Sequence, residues 1–121
     1  MRAAAPIALV LAGCAAGPAR EPPPATPVGT AATCIPITLI REARPESDRV
    51  IDFVMKNRHI YRNTLPADCP GLGYERRITY ATPLSQLCST DLVTVLTTGP
   101  VGRGATCALG TFQPVTPVPR R

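Results

Sequence analysis

The chain predicts an all-β fold: a small barrel or sandwich of five to six short antiparallel strands, stapled by disulfides, after a signal peptide and a disordered linker. Three observations carry this. Apolar and polar residues alternate over short runs bounded by Gly, Pro, Asn and Asp, the pattern of half-buried strands. No long segment shows the 3.6-residue apolar period of a helix. Four cysteines, Cys34, Cys69, Cys88 and Cys107, remain beyond the one near the N-terminus. An even number in a small exported domain predicts two disulfides.

The run MRAAAPIALVLAGC reads as a bacterial lipoprotein signal ending at Cys14. Arg2 is the cationic start, and residues 3–12 form an apolar stretch of about ten residues, too short to span a bilayer. Ala12 and Gly13 are small enough to enter a narrow peptidase site, and the Cys14 thiol takes a thioether-linked diacylglycerol. Cleavage after residue 13 leaves an acylated Cys14 at the head of a mature chain of 108 residues. Each buried methylene contributes about 0.8 kcal/mol, so two or three acyl chains (palmitate among them) anchor stably where one does not. Ala15 stands where an aspartate would commonly retain a lipoprotein at the inner membrane. The expected location is therefore the cell envelope, lipid-anchored at the outer membrane and facing the periplasm.

Residues 14–33 are expected to be a lipidated, Pro-rich linker. Positions 15–33 hold five prolines among Ala, Gly and Thr, a composition that builds no core. At about 3 Å per residue such a linker would hold the domain several nanometres from the membrane. Residues 34–114 are expected to be the β domain and 115–121 a flexible tail.

Within the domain, ITLIREAR suits a first strand ending near Pro45, and ESD (46–48) a turn. VIDFVMK (50–56) puts Ile51, Phe53 and Met55 on one face, Asn57-Arg58 turns the chain, and HIYRNTL (59–65) returns, which makes the clearest hairpin. YERRITYAT (74–82) reads as a strand and PLSQLCS as a short helical turn. DLVTVLTT (91–98) is apolar on both faces and reads as central. GPVGRG is a loop and ATCALGTF (105–112) the closing strand.

Three disulfide connectivities exist for four cysteines. The nested one, Cys69–Cys88 with Cys34–Cys107, is the expectation, because it ties the two ends of the domain and staples the middle loop. No two cysteines are spaced C-x-x-C, so neither a zinc site nor a thioredoxin-like motif is indicated.

Charge narrows the choice of partners. Between Cys34 and Pro114 nine basic residues face seven acidic ones. That near balance argues against nucleic acid, whose binders carry a stronger basic face. The remaining partners are the membrane through the lipid anchor, and an envelope protein or an anionic surface.

Catalytic candidates are few. His59 is the only histidine. It sits by the hairpin turn with Asp52 on the facing strand, the one pair that could serve a small hydrolase. A solvent-facing turn histidine is the plainer reading. Asp48 and Asp91 look like turn formers. Ser47, Ser85 and Ser89 lack the G-x-S-x-G elbow, and GPVGRG lacks the Gly-Lys-Ser/Thr ending of a phosphate loop. Arg76 and Arg77, adjacent in an expected strand, should point to opposite faces and form no single patch. Tyr61, Tyr74 and Tyr80 suit core and edge packing better than a ligand surface. No cofactor or metal motif is present.

IDFVM (51–55), YRNTLPADCPGLGYE (61–75), LCSTDLVTV (87–95) and CALGTFQPV (107–115), in that order, resemble a family of short bacterial lipoproteins that carry a domain of unknown function (number 6491). The resemblance covers Cys34 to Val115. It implies an exported, cysteine-containing domain without an assigned activity and supplies no catalytic residue. The expected function is thus a non-catalytic, tethered binding or structural module of the cell envelope, and the alternative is a small periplasmic hydrolase using Asp52 and His59.

Overall fold

The computed structural model describes residues 3–4, 21–82 and 84–119. Cys14 and its flanks lie outside the described residues, as does most of the signal. The chain folds as an all-β domain of short strands: β1 (Ala25–Pro27), β2 (Cys34–Pro36), β3 (Ile40–Pro45), β4 (Val50–Met55), β5 (Ile60–Thr64), β6 (Ile78–Tyr80), β7 (Gln86–Cys88), β8 (Leu92–Leu96), β9 (Arg103–Ala108) and β10 (Phe112–Pro117). A short helix, α1 (Leu72–Glu75), precedes β6, and a 3-10 turn (Ile37–Leu39) precedes β3. The strands form three sheets, in the orders β1-β10-β5-β4-β3, β2-β7 and β6-β8-β9. All pairings are antiparallel, and the sheets do not close into a barrel. The fold class follows the sequence reading, but the described strands number ten rather than five or six.

The β4–β5 hairpin is the spine of the large sheet. Ile51, Phe53 and Met55 share its inner face, as their alternation predicts, and all are buried. The turn closes with the Met55 N–H on the His59 carbonyl at 2.8 Å, and Arg58 takes the left-handed conformation at φ 72°. The Asn57 side chain stabilises the turn by accepting the His59 N–H at 3.1 Å. Phe53 meets Phe112 of β10 edge to face, with ring centroids 5.5 Å apart. Ile35 and Leu87 from the two-stranded sheet, with Val93 and Val95 from the three-stranded one, complete the core over this face. β8 is the middle strand of its sheet, as expected, yet Leu92 is 56% exposed, so β8 is apolar on both faces without being buried on both.

Several expectations are corrected. The linker does not run to residue 33. β1 pairs with β10, and Val28 and Ala32 continue the contact by donating to the carbonyls of Pro114 and Phe112. The segment has too few apolar residues to look like a strand, but it satisfies the otherwise open edge of β10. For the same reason the expected tail from 115 is partly strand: Val115, Thr116 and Pro117 pair with Pro27, Thr26 and Ala25. Gln86–Cys88 is a strand beside β2 rather than a helical turn.

The disulfides also differ from the nested expectation. Cys34 bonds Cys88, and Cys69 bonds Cys107. Cys34 and Cys88 face each other in the β2–β7 register, with Cα atoms 4.0 Å apart. The nested pattern required a covalent tie between the ends of the domain, but β1–β10 hydrogen bonding already makes that tie. Cys107 instead lies on β9 of the three-stranded sheet, within reach of the loop before α1.

Candidate functional site

Among the described residues, a groove that combines shape and charge lies where the edge strand β3 faces β6 and the end of β8. Its volume is about 380 Å³, within the range of small-molecule sites, roughly 300–1,000 Å³. Arg41, Arg76 and Arg77 line it together with Glu42. Ile40, Ile78, Tyr80 and Leu96 supply its apolar walls.

Local irregularities place these arginines. Ile40 pairs with Met55 and Glu42 with Val54, so the register slips at Arg41, which is the extra residue of a β-bulge. Bulges re-aim side chains at sheet rims and beside binding sites. Arg76 ends α1 in the left-handed conformation, φ 59° and ψ 24°, with its N–H on the Leu72 carbonyl at 3.0 Å. Glycine is the usual residue there, and a side chain with a Cβ is strained in this region. The turn carries the chain from α1 straight into β6. The Arg77 carbonyl then accepts the Leu96 N–H at 2.9 Å, which fixes this segment against β8.

The arginines were expected on opposite faces, and this is corrected. Neither lies in a strand: β6 begins at Ile78, and both arginines reach the same groove. The strict alternation of an extended chain does not apply across a left-handed residue.

The groove carries an excess of positive charge. Among the described residues, Arg41 and Arg77 have no carboxylate within 4.0 Å, and Arg76 reaches Glu46 only at that limit. Glu42 is occupied by Arg44 at 3.0 Å, and this hydrogen bond holds its carboxyl below the usual range against a smaller opposing effect of burial. Burial pushes the Tyr80 phenol up from its ordinary value.

The structure does not bring Asp52 and His59 together as a working pair. Both Asp52 oxygens are taken by Arg62, at 2.8 and 2.9 Å, on the outer face of the large sheet. His59 is exposed in the hairpin turn, beside Asn57. Asp91 behaves as read, accepting the Cys88 N–H at 2.7 Å. Asp48 does not: its side chain accepts the distant Gly73 N–H at 2.9 Å, and the local turn is held by the Ser47 hydroxyl, which accepts the N–H groups of Arg49 and Val50. The loop at 99–102 closes as a turn, and β9 follows it directly. Of the tyrosines, Tyr61 packs on the core, Tyr74 is 86% exposed, and Tyr80 lines the groove. Among the described residues no group of His, Cys, Asp and Glu is placed to hold a metal, and no helix is long and apolar enough to cross a membrane.

Comparison with family models, with curated proteins and with solved structures found no match for this chain.

Proposed function

We propose that this protein is a lipid-anchored module of the bacterial cell envelope that works by binding an anionic ligand in the β3–β6 groove. The observation that carries the binding half is the convergence of Arg41, Arg76 and Arg77 on one apolar-walled groove with a single carboxylate in it. Guanidinium groups are matched to carboxylate and phosphate by shape as well as charge. The anchoring half rests on the signal ending at Cys14 and on the resemblance to short envelope lipoproteins. No acid–base pair, nucleophile or metal cluster is needed for such a role.

Two measurements test the reading. Labelling of growing cells with a palmitate analogue should tag the wild-type chain and bring it down with membranes, and Cys14→Ser should abolish both. An unlabelled, freely soluble wild-type chain would overturn the anchoring. In titrations with simple anions, loss of binding on charge reversal at Arg41 and Arg77 supports the groove, and anion binding indifferent to both changes overturns it.

A further inference from the structure

We infer that the groove takes a phosphate monoester carried on an apolar body, bound as a single molecule and not as part of a bilayer. This inference rests on the anion-binding reading above and narrows it to one chemical class. Three features of the groove lead to it.

The first is the amount of charge. Three lining arginines against Glu42 leave an excess of two positive charges. Including the ion-paired neighbours Arg44 and Glu46 leaves the same excess. A carboxylate brings one negative charge, whereas a phosphate monoester brings about −1.5 to −2 near neutral pH. The dianion matches the excess and the carboxylate does not. The second is the wall chemistry. Ile40, Ile78 and Leu96 and the half-buried Tyr80 ring are only partly covered by the domain. They would gain burial from an alkyl or aromatic group, which inorganic phosphate lacks. The third is accessibility. A phospholipid in a membrane offers its headgroup and keeps its tails in the bilayer, so it could satisfy the arginines but not the walls. A monomeric amphiphile satisfies both.

The two backbone irregularities strengthen the assignment. The bulge at Arg41 and the left-handed Arg76 each depart from regular structure, and each delivers a guanidinium to the same place. Of the left-handed non-glycine residues Arg58, Arg76 and Thr90, Arg76 lines the groove, and bulges such as that at Arg41 are frequent beside binding sites.

The test uses the chain from position 14 onward, carrying Cys14→Ser, with both disulfides formed. Octyl phosphate, octanoate and inorganic phosphate are titrated while backbone amide shifts are followed by NMR. Octyl phosphate should bind about tenfold or more tightly than either comparator and move the amides of Arg41, Arg77 and Ile78. Its affinity should fall as pH drops through about 6, where the phosphate loses its second charge. Arg41→Gln with Arg77→Gln should weaken it about tenfold, Arg103→Gln should leave it unchanged, and Glu42→Gln should tighten it. Arg76→Gly relieves the left-handed residue, so it should weaken binding without loss of thermal stability. That separates a ligand role from a folding role.

Octanoate binding as tightly as octyl phosphate would overturn the phosphate assignment and leave the anion groove standing. Failure of every anion to bind would overturn both. Equal binding by inorganic phosphate would remove the apolar walls from the proposal. Binding to vesicles of phosphatidylcholine containing phosphatidic acid, in preference to octyl phosphate, would replace the monomeric ligand with a membrane surface.

Discussion

The side-chain amide of Asn63 pairs with both backbone groups of Gly110: Oδ1 accepts the Gly110 N–H at 2.8 Å, and Nδ2 donates to its carbonyl at 2.7 Å. Asn63 is fully buried, so its amide stands in for a strand at the point where β9 gives way to β10. A Cβ at Gly110 would overlap the Thr64 carbonyl oxygen, which explains the glycine there. Asn63→Ala should destabilise the domain by about 2–4 kcal/mol, since two partly buried backbone groups lose their partners at about 1–3 kcal/mol each. Urea denaturation checks this. A loss below about 1 kcal/mol would mean that water replaces the amide.

Phe53 should be the most costly core position on the central hairpin. Truncation to Ala empties a fully buried ring site against Phe112 and should cost about 3–5 kcal/mol by the same assay.

Peptide mapping of the oxidised protein should recover Cys34 with Cys88 and Cys69 with Cys107, and no other pair. Each bond spans 54 and 38 residues respectively. On chain-entropy grounds each should contribute about 4 kcal/mol. Paired Cys→Ala variants compared in denaturant give the two values separately.

Arg62 holds the proline-rich segment to the large sheet. Besides its two bonds to Asp52 it donates to the Pro23 carbonyl at 2.8 Å. Arg62→Ala leaves the Asp52 carboxylate buried without its partner and should cost about 3–5 kcal/mol. Amide hydrogen exchange at Thr26 and Val28 should accelerate more than exchange in β4. Asp52→Asn added to Arg62→Ala should recover part of the stability.

Alkaline stability should report Tyr80. Burial raises its phenol above the ordinary 10.0, so the folded chain holds this proton where the unfolded chain releases it. The associated stability is complete below about pH 10 and is lost as pH climbs through the raised value. Tyr80→Phe should therefore lose less melting temperature than wild type between about pH 9 and pH 11. Parallel curves would place the phenol in a solvent-like setting.

The sequence made some of this legible and hid the rest for identifiable reasons. The β4–β5 hairpin was readable because Ile51, Phe53 and Met55 repeat at the strand period and Asn57-Arg58 is turn chemistry. Asp91 was readable because its hydrogen bond to the Cys88 N–H is local, whereas Asp48 was not, because its side chain reaches the distant Gly73 N–H. β1 was not, because ATP is a strand only by virtue of β10, which lies some ninety positions away. The cysteine pairing was hidden for the same reason: it depends on β2 lying beside β7. The groove escaped because it draws on residues from Ile40 to Leu96 and on one left-handed arginine, and neither leaves a periodic trace.

The β1–β10 pairing makes the proposed anchor a mechanical device. At full extension the chain from Cys14 to Pro23 reaches about 30 Å, well short of what an undocked linker would allow. A pull on the anchor is borne first by the Arg62 bond to the Pro23 carbonyl and then by the contact that β1, Val28 and Ala32 make with β10. Peeling it frees the chain as far as Cys34, where the bond to Cys88 arrests further extension. The reach then becomes about 70 Å. The domain would thus ride on a two-length tether, short at rest and more than doubled under tension, with a covalent stop that protects the core and the groove from the load.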